Sequence, residues 1–221
     1  MRRRTATAQA FQPGFDFLPP SSATERRYRI HRELAGDPTE RLEQGRAWLK
    51  QYDAAIRGGD EAQASEFADR LYAVGDAMPD DDEDEELTGH AQLTKLLAAA
   101  PGQVPLWGQS GTFLITVKKC RVVVHADGDF HFELTAFDWD RPFLSESGYL
   151  SLYGDADDAR GRTVKQCVTK LAQERSKKPV KMVRTRWDHD TRTRQEIPVG
   201  PDPDDVDWQP GGWLYELKQK G

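Results

Sequence analysis

The sequence predicts an α+β fold: an N-terminal helical hairpin region followed by an antiparallel sheet with one packed basic helix. Three observations carry this. Between residues 37 and 78, apolar side chains recur at three- and four-residue steps on two segments joined by Gly58-Gly59-Asp60, the pattern of paired amphipathic helices. Between 112 and 143 the spacing falls to two, over three runs rich in β-branched and aromatic residues. Over 159–176 the helical rhythm returns, on a segment whose other positions are largely basic.

Composition narrows the class. Charged residues are 31% of the 221, and mean hydropathy is -0.76, so part of the chain is expected to be a solvated extension. Six Trp, nine Phe and six Tyr require a core elsewhere. No apolar run approaches the roughly 20 residues that span a bilayer. The basic start MRRRTATAQAF lacks the apolar stretch of a secretory signal. The expectation is a cytoplasmic protein with no membrane partner. Cys120 and Cys167 are far apart and outside any CxxC spacing, which predicts reduced core residues rather than a disulfide. Net charge is -6, yet it is patterned: seven acidic residues run from Asp80 to Glu86, whereas 159–194 is basic.

Taken in order, residues 1–21 hold Arg2-Arg3-Arg4 and then prolines, a glycine and phenylalanines, which predicts a disordered arm. Over 22–34 a charged helix is expected, with Ser22 as its cap and Glu25 at the capping-box position. Asp37-Pro38 starts the next helix, with Asp as N-cap and Pro where a missing N–H costs nothing. Its stripe is Leu42, Gly45, Leu49, Tyr52 and Ile56. Ala64, Phe67, Ala68, Leu71 and Val74 form the answering stripe of an antiparallel partner, making 22–78 a helical hairpin region. An acidic linker over 79–86 is followed by an α+β domain over 87–221, which opens on a helix at 87–100. In the sheet, Phe113, Ile115 and Val117, then Cys120, Val122 and Val124, then Phe130, Phe132 and Leu134 share the buried face of a three-stranded meander. Asp127-Gly128 is read as a type I′ turn and Lys118-Lys119 as a tighter or bulged corner. Residues 138–155 read as loop, 180–187 as a strand with the run to Ile197 pairing back on it, 198–212 as loop and 213–217 as a last short strand.

Four constellations bear on chemistry. Pro203-Asp204-Asp205 with Glu216-Leu217-Lys218 resembles PD-(D/E)xK nucleases, in which an Asp and a Glu hold Mg²⁺ and a Lys stabilises the attacking water. The resemblance implies Asp205, Glu216 and Lys218 as catalytic; against it, Asp205 stands in a Pro-rich loop. His125, Asp127, Asp129, His131 and Glu133 gather metal-type ligands, but a turn and a wet sheet face need the same residues, so no metal is assigned. Asp138, Trp139, Asp140, Arg141 and Phe143 mix aromatics with paired charges, as a partner-binding loop does. Arg162, Lys165, Lys177, Lys178, Lys181, Arg184 and Arg186, with Trp187 as a stacking platform, suit nucleic acid through counterion release. The rival reading is that the acidic run screens them. A Walker loop, GxGxxG, GxSxG and HExxH are all absent, and no cofactor is expected.

The segment FDWDRPFLSESGYLSLYG and the helix pair AWLKQYDAAIRGGDEAQASEFADRLYAV resemble accessory proteins carried on bacterial plasmids and integrative elements. That resemblance implies a setting of plasmid maintenance, transfer or defence evasion, and supplies no site residues. The function read from the sequence is a non-enzymatic accessory protein of a mobile element that binds DNA, RNA or a protein that handles them. A metal-dependent nuclease and an acidic inhibitor of a basic protein stand as alternatives. Oligomeric state is left open.

Overall fold

Asp37 and Gly59 set the limits of the longest helix. The computed structural model describes residues 22–34, 36–78, 88–176, 178–188, 192–197, 199–201 and 204–220. The arm at 1–21 and the acidic run at 80–86 lie outside them. Helix α1 spans Ser22–Glu33, α2 Pro38–Gly58 and α3 Glu61–Ala77. Ser22 is the first helical residue rather than a cap. The Asp37 carboxylate accepts from the Thr39 and Glu40 amides, which lowers its pKa, and Gly59 closes α2 at φ 73. Asp60 then caps α3, so the two helices turn back on each other as the short connection requires. Arg26 of α1 pairs with Asp69 of α3 at 2.5 Å.

Helix α4, Gly89–Leu97, docks on α3 by close backbone approach. Gly89 lies under the carbonyl of Gly75, and a Cβ on Gly75 would collide with Nδ1 of His90. The His90 ring is held from two other sides: Nε2 lies 2.7 Å from Asp76 Oδ1, and the ring sits against Tyr72 at 4.2 Å.

The sheet is an up-and-down antiparallel arrangement in the order β1-β2-β3-β4: Ser110–Val117, Cys120–Asp127, His131–Ala136 and Tyr149–Tyr153. The period-two runs bury the expected face, with Phe113, Val117, Val122, Val124, Phe132 and Leu134 fully enclosed. The meander has four strands instead of three. The fourth lies in the stretch read as loop, where Tyr149-Leu150-Ser151-Leu152-Tyr153 alternates briefly between turn-forming neighbours, and Leu152 is buried.

The two tight connections exchange roles. Val117 pairs directly with Cys120, so Lys118 and Lys119 alone make the first turn, at φ 48 and φ 70. At the second, Gly128 takes φ 102 but Asp127 is not left-handed. Asp127 Oδ1 instead accepts from the Asp129 amide at 3.1 Å, so the Asp-Gly type I′ turn gives way to a wider loop fixed by that side chain.

Helix α6, Val164–Arg175, covers the inner face with Cys167, Val168 and Leu171. It starts later than the sequence rhythm suggests. A separate turn, α5 Ala156–Ala159, precedes it; Gly161 at φ 71 interrupts, and Thr163 with Gln166 forms a capping box. Ala55, Ile56 and Ala64 of the helical hairpin join the same core. Cys120 and Cys167 are free and buried, and burial pushes the Cys167 thiol up to about 11.

Among the described residues two strands, β5 Arg184–Asp188 and β6 Thr193–Ile197, pair only with each other. Val180, expected within that strand, makes an isolated bridge to Phe143 instead. The terminal element, α7 Trp213–Gln219, is a helix and not a strand. Leu214 is its buried residue, and Lys218, one turn on, shares its face; a strand would place the flanking Trp213 and Tyr215 inward instead. Leu214 covers Val123 and Phe137 on the outer face of the sheet.

Gly75→Ala is expected to destabilise the protein by about 1–2 kcal/mol, because the pinned His90 ring cannot yield and overpacking outweighs the gain in helix propensity. Urea denaturation of the purified variant measures it.

Candidate nucleic-acid interface

The basic segment divides into cations that the fold consumes and cations that it leaves free. Arg162 donates to the Asp158 carbonyl at 2.9 Å and is half-buried, so it braces its own loop. Arg160 pairs with Asp157 at 3.3 Å, and Lys170 with Asp158 at 3.1 Å. The Arg175 guanidinium donates to the Tyr153 carbonyl at the sheet edge. Lys165 is exposed on α6.

Beyond the C-terminal end of α6 the pattern changes. Lys178 and Lys181 are exposed and form no ion pair among the described residues. Backbone contacts fix where they sit. The Lys118 ammonium donates to the Ser176 carbonyl, which ties the β1–β2 turn to the end of α6. Val180 and Phe143 exchange amide hydrogen bonds of 2.8 and 2.9 Å, and the Cys120 thiol lies 3.3 Å from the Pro142 carbonyl. These links bring Lys118, Lys119, Arg141, Lys178 and Lys181 to one end of the sheet, where β5 begins. Lys118 and Lys119 carry no signal as a site in a linear reading; the signal is that only two residues separate two strands. Arg184, Arg186 and Trp187 lie on β5, and Lys177 falls outside the described residues.

The aromatic loop is partly structural. Phe143 is 1% exposed in the core. Asp138 is 8% exposed and clamped: Arg121 donates Nε to Oδ2 at 2.7 Å and Nη2 to Oδ1 at 2.6 Å, while Lys218 donates to Oδ1 at 2.8 Å. Both cations lie over the Phe137 ring, at 4.5 and 5.2 Å from its centroid. The Arg121 hydrogen bonds foremost, with Lys218 behind them, hold the Asp138 carboxyl down to about 2, against the opposing effect of desolvation. Trp139 is half-buried against the core, whereas Asp140 and Arg141 remain exposed.

The nuclease triplet is not assembled as its motif needs. Glu216 and Lys218 are two apart on a helix and so do not face each other. Lys218 is committed to Asp138, and Asp205 caps a 3-10 turn, Val206–Trp208, by accepting from the Asp207 amide. On the outer sheet face, His131 is bound at both nitrogens: Nδ1 lies 3.0 Å from Asp127 Oδ2 and Nε2 lies 2.9 Å from Ser151 Oγ. His125 contacts Thr112, and Glu133 accepts from the Tyr149 hydroxyl. Among the described residues no group of His, Cys, Asp and Glu side chains is placed to hold a metal ion, and no helix is long and apolar enough to cross a membrane.

By fold this is an α+β protein, a helical hairpin packed on a four-stranded antiparallel sheet, with exposed cations gathered at one sheet end. It is similar to Protein KlcB of Escherichia coli, with 34% identity over 166 residues, 70% of this chain and 39% of that protein. A second Escherichia coli protein of the same name is 46% identical over 69 residues, 28% of this chain and 14% of that protein. The chain thus spans less than half the length of the curated relatives it matches. No family model matches the chain, and no solved structure matches it.

Asp138→Asn tests the clamp through pH. The folded pKa is depressed from 3.8 to about 2, so the stabilisation is complete above about pH 4 and is lost as pH falls toward 2. The wild type should lose about 2 kcal/mol of stability across that window from this group. The variant should be less stable at pH 7 and show a flatter profile there, as read by urea denaturation at stepped pH.

Proposed function

We propose that this protein is a non-enzymatic accessory protein of a mobile genetic element that binds nucleic acid through the basic end of its sheet. The observation that carries the reading is that Lys119, Arg141, Lys178 and Lys181 are exposed and meet no carboxylate among the described residues, while Arg160, Arg162, Lys170 and Arg175 are each held by a partner within the fold. Unpaired cations on a rigid scaffold give up no internal contact when they meet a phosphate, and each phosphate neutralised releases a counterion. Arg184 and Arg186 follow on strand β5. The similarity to Protein KlcB, together with the resemblance of FDWDRPFLSESGYLSLYG to plasmid-borne accessory proteins, supports the mobile-element setting. Net charge of -6 makes the attraction local, so binding should be steeply salt-dependent.

The test is a mobility shift of labelled duplex DNA at two salt concentrations. Lys178→Glu with Lys181→Glu should weaken binding at least about tenfold and reduce the slope of log affinity against log salt by roughly 2. Absence of binding by the wild type at low salt contradicts the reading.

A further inference from the structure

We propose that the Lys118-Lys119 turn is a phosphate-contacting element of this interface, with lysine kept for that purpose at two positions that the strand register holds left-handed; the proposal rests on the nucleic-acid reading above. Both residues adopt positive φ, 48 and 70, in a connection where only two residues join paired strands. Such turns favour Asn-Gly, since side chains with a Cβ are strained there. Lysine at both positions therefore lowers stability. Nothing that Lys119 touches offsets this. Its side chain is exposed, and no hydrogen bond or ion pair engages it among the described residues. The register fixes the left-handed backbone, so what the fold does not require is lysine there, where Asn-Gly would carry less strain.

The two lysines divide the work. The Lys118 ammonium is spent on the Ser176 carbonyl at the end of α6, where a cation also complements the helix dipole. That contact anchors the turn to α6 and makes Lys118 a positioning residue. Lys119 is the free charge at the vertex. Its ligand is the phosphate backbone of a nucleic acid, contacted without base readout, because a single flexible ammonium acts as a point charge.

The experiment measures thermal stability and duplex-DNA affinity on the same preparations. Lys119→Gly should raise Tm by about 2–4 °C as the strain is relieved, while weakening DNA binding roughly three- to tenfold and lowering the salt slope by about 1. Lys119→Arg, which keeps both charge and strain, should leave Tm and affinity near the wild-type values. A Lys119→Gly variant that binds DNA as tightly as the wild type, or that melts at a lower temperature, overturns the proposal. If Lys178→Glu with Lys181→Glu weakens binding and Lys119→Gly does not, only the role of the turn falls. If the wild type binds no DNA at low salt, the nucleic-acid reading falls with it.

Discussion

Trp107 joins the three parts of this fold. It is 2% exposed, its backbone amide donates to Asp53 Oδ1 of α2 at 3.1 Å, and its indole Nε1 donates to the Arg162 carbonyl ahead of α6 at 2.9 Å. Its ring meets Phe130 and Phe132 of the sheet at 5.3 and 6.1 Å. One residue, through its backbone amide and its ring, thereby fixes the helical hairpin, the sheet and the start of the basic helix against one another. Asp53 is nearly buried and also faces Arg57 at 3.4 Å, so its charge is compensated where it is removed from water. Burying so large a ring contributes a few kcal/mol, comparable with a substantial share of a domain's net stability.

The direction of α6 links this anchor to the basic end of the sheet. With its start held at Trp107, α6 runs across the inner face of the sheet and delivers its C-terminal end to the Lys118-Lys119 turn. On the opposite face α7 closes over Val123 and Phe137, and Lys218 completes the Asp138 clamp with Arg121. The clamp consumes a carboxylate of the loop and two cations, one from β2 and one from the terminal helix. Neither device needs Lys119, Arg141, Lys178 or Lys181, and these four stand on segments that the Lys118–Ser176, Cys120–Pro142 and Phe143–Val180 contacts join. The nuclease triplet comes apart for the same reason: Lys218 works in the clamp, and a helical path turns Glu216 away from it.

Much of the architecture was legible in sequence. Long stripes such as Leu42 to Ile56 distinguish a helix from a strand by repetition, and Asp37-Pro38 marks a boundary with a physical reason. Short elements defeat the same logic. Seven residues from Trp213 to Gln219 hold too few repeats to separate a period of two from one of 3.6, and the five of β4 are masked by turn-forming neighbours. The candidate interface was legible only in part. Lys178 and Lys181 stand out by charge, but which cations are free depends on long-range partners, such as Tyr153 for Arg175, that no local window contains. Lys118 and Lys119 become candidates only when the register is known, because it is the pairing of Val117 with Cys120 that forces them into a left-handed turn.

The most direct test of the central claim is to map backbone amide chemical shifts of the labelled protein while a short duplex DNA is titrated in. The perturbed amides are expected to cluster at 118–120, 140–143 and 176–183, at one end of the sheet, and to recede as salt is raised. Perturbations centred on the outer sheet face around His131 and Tyr153, or on the helical hairpin of α2 and α3, with the basic end silent, would contradict it.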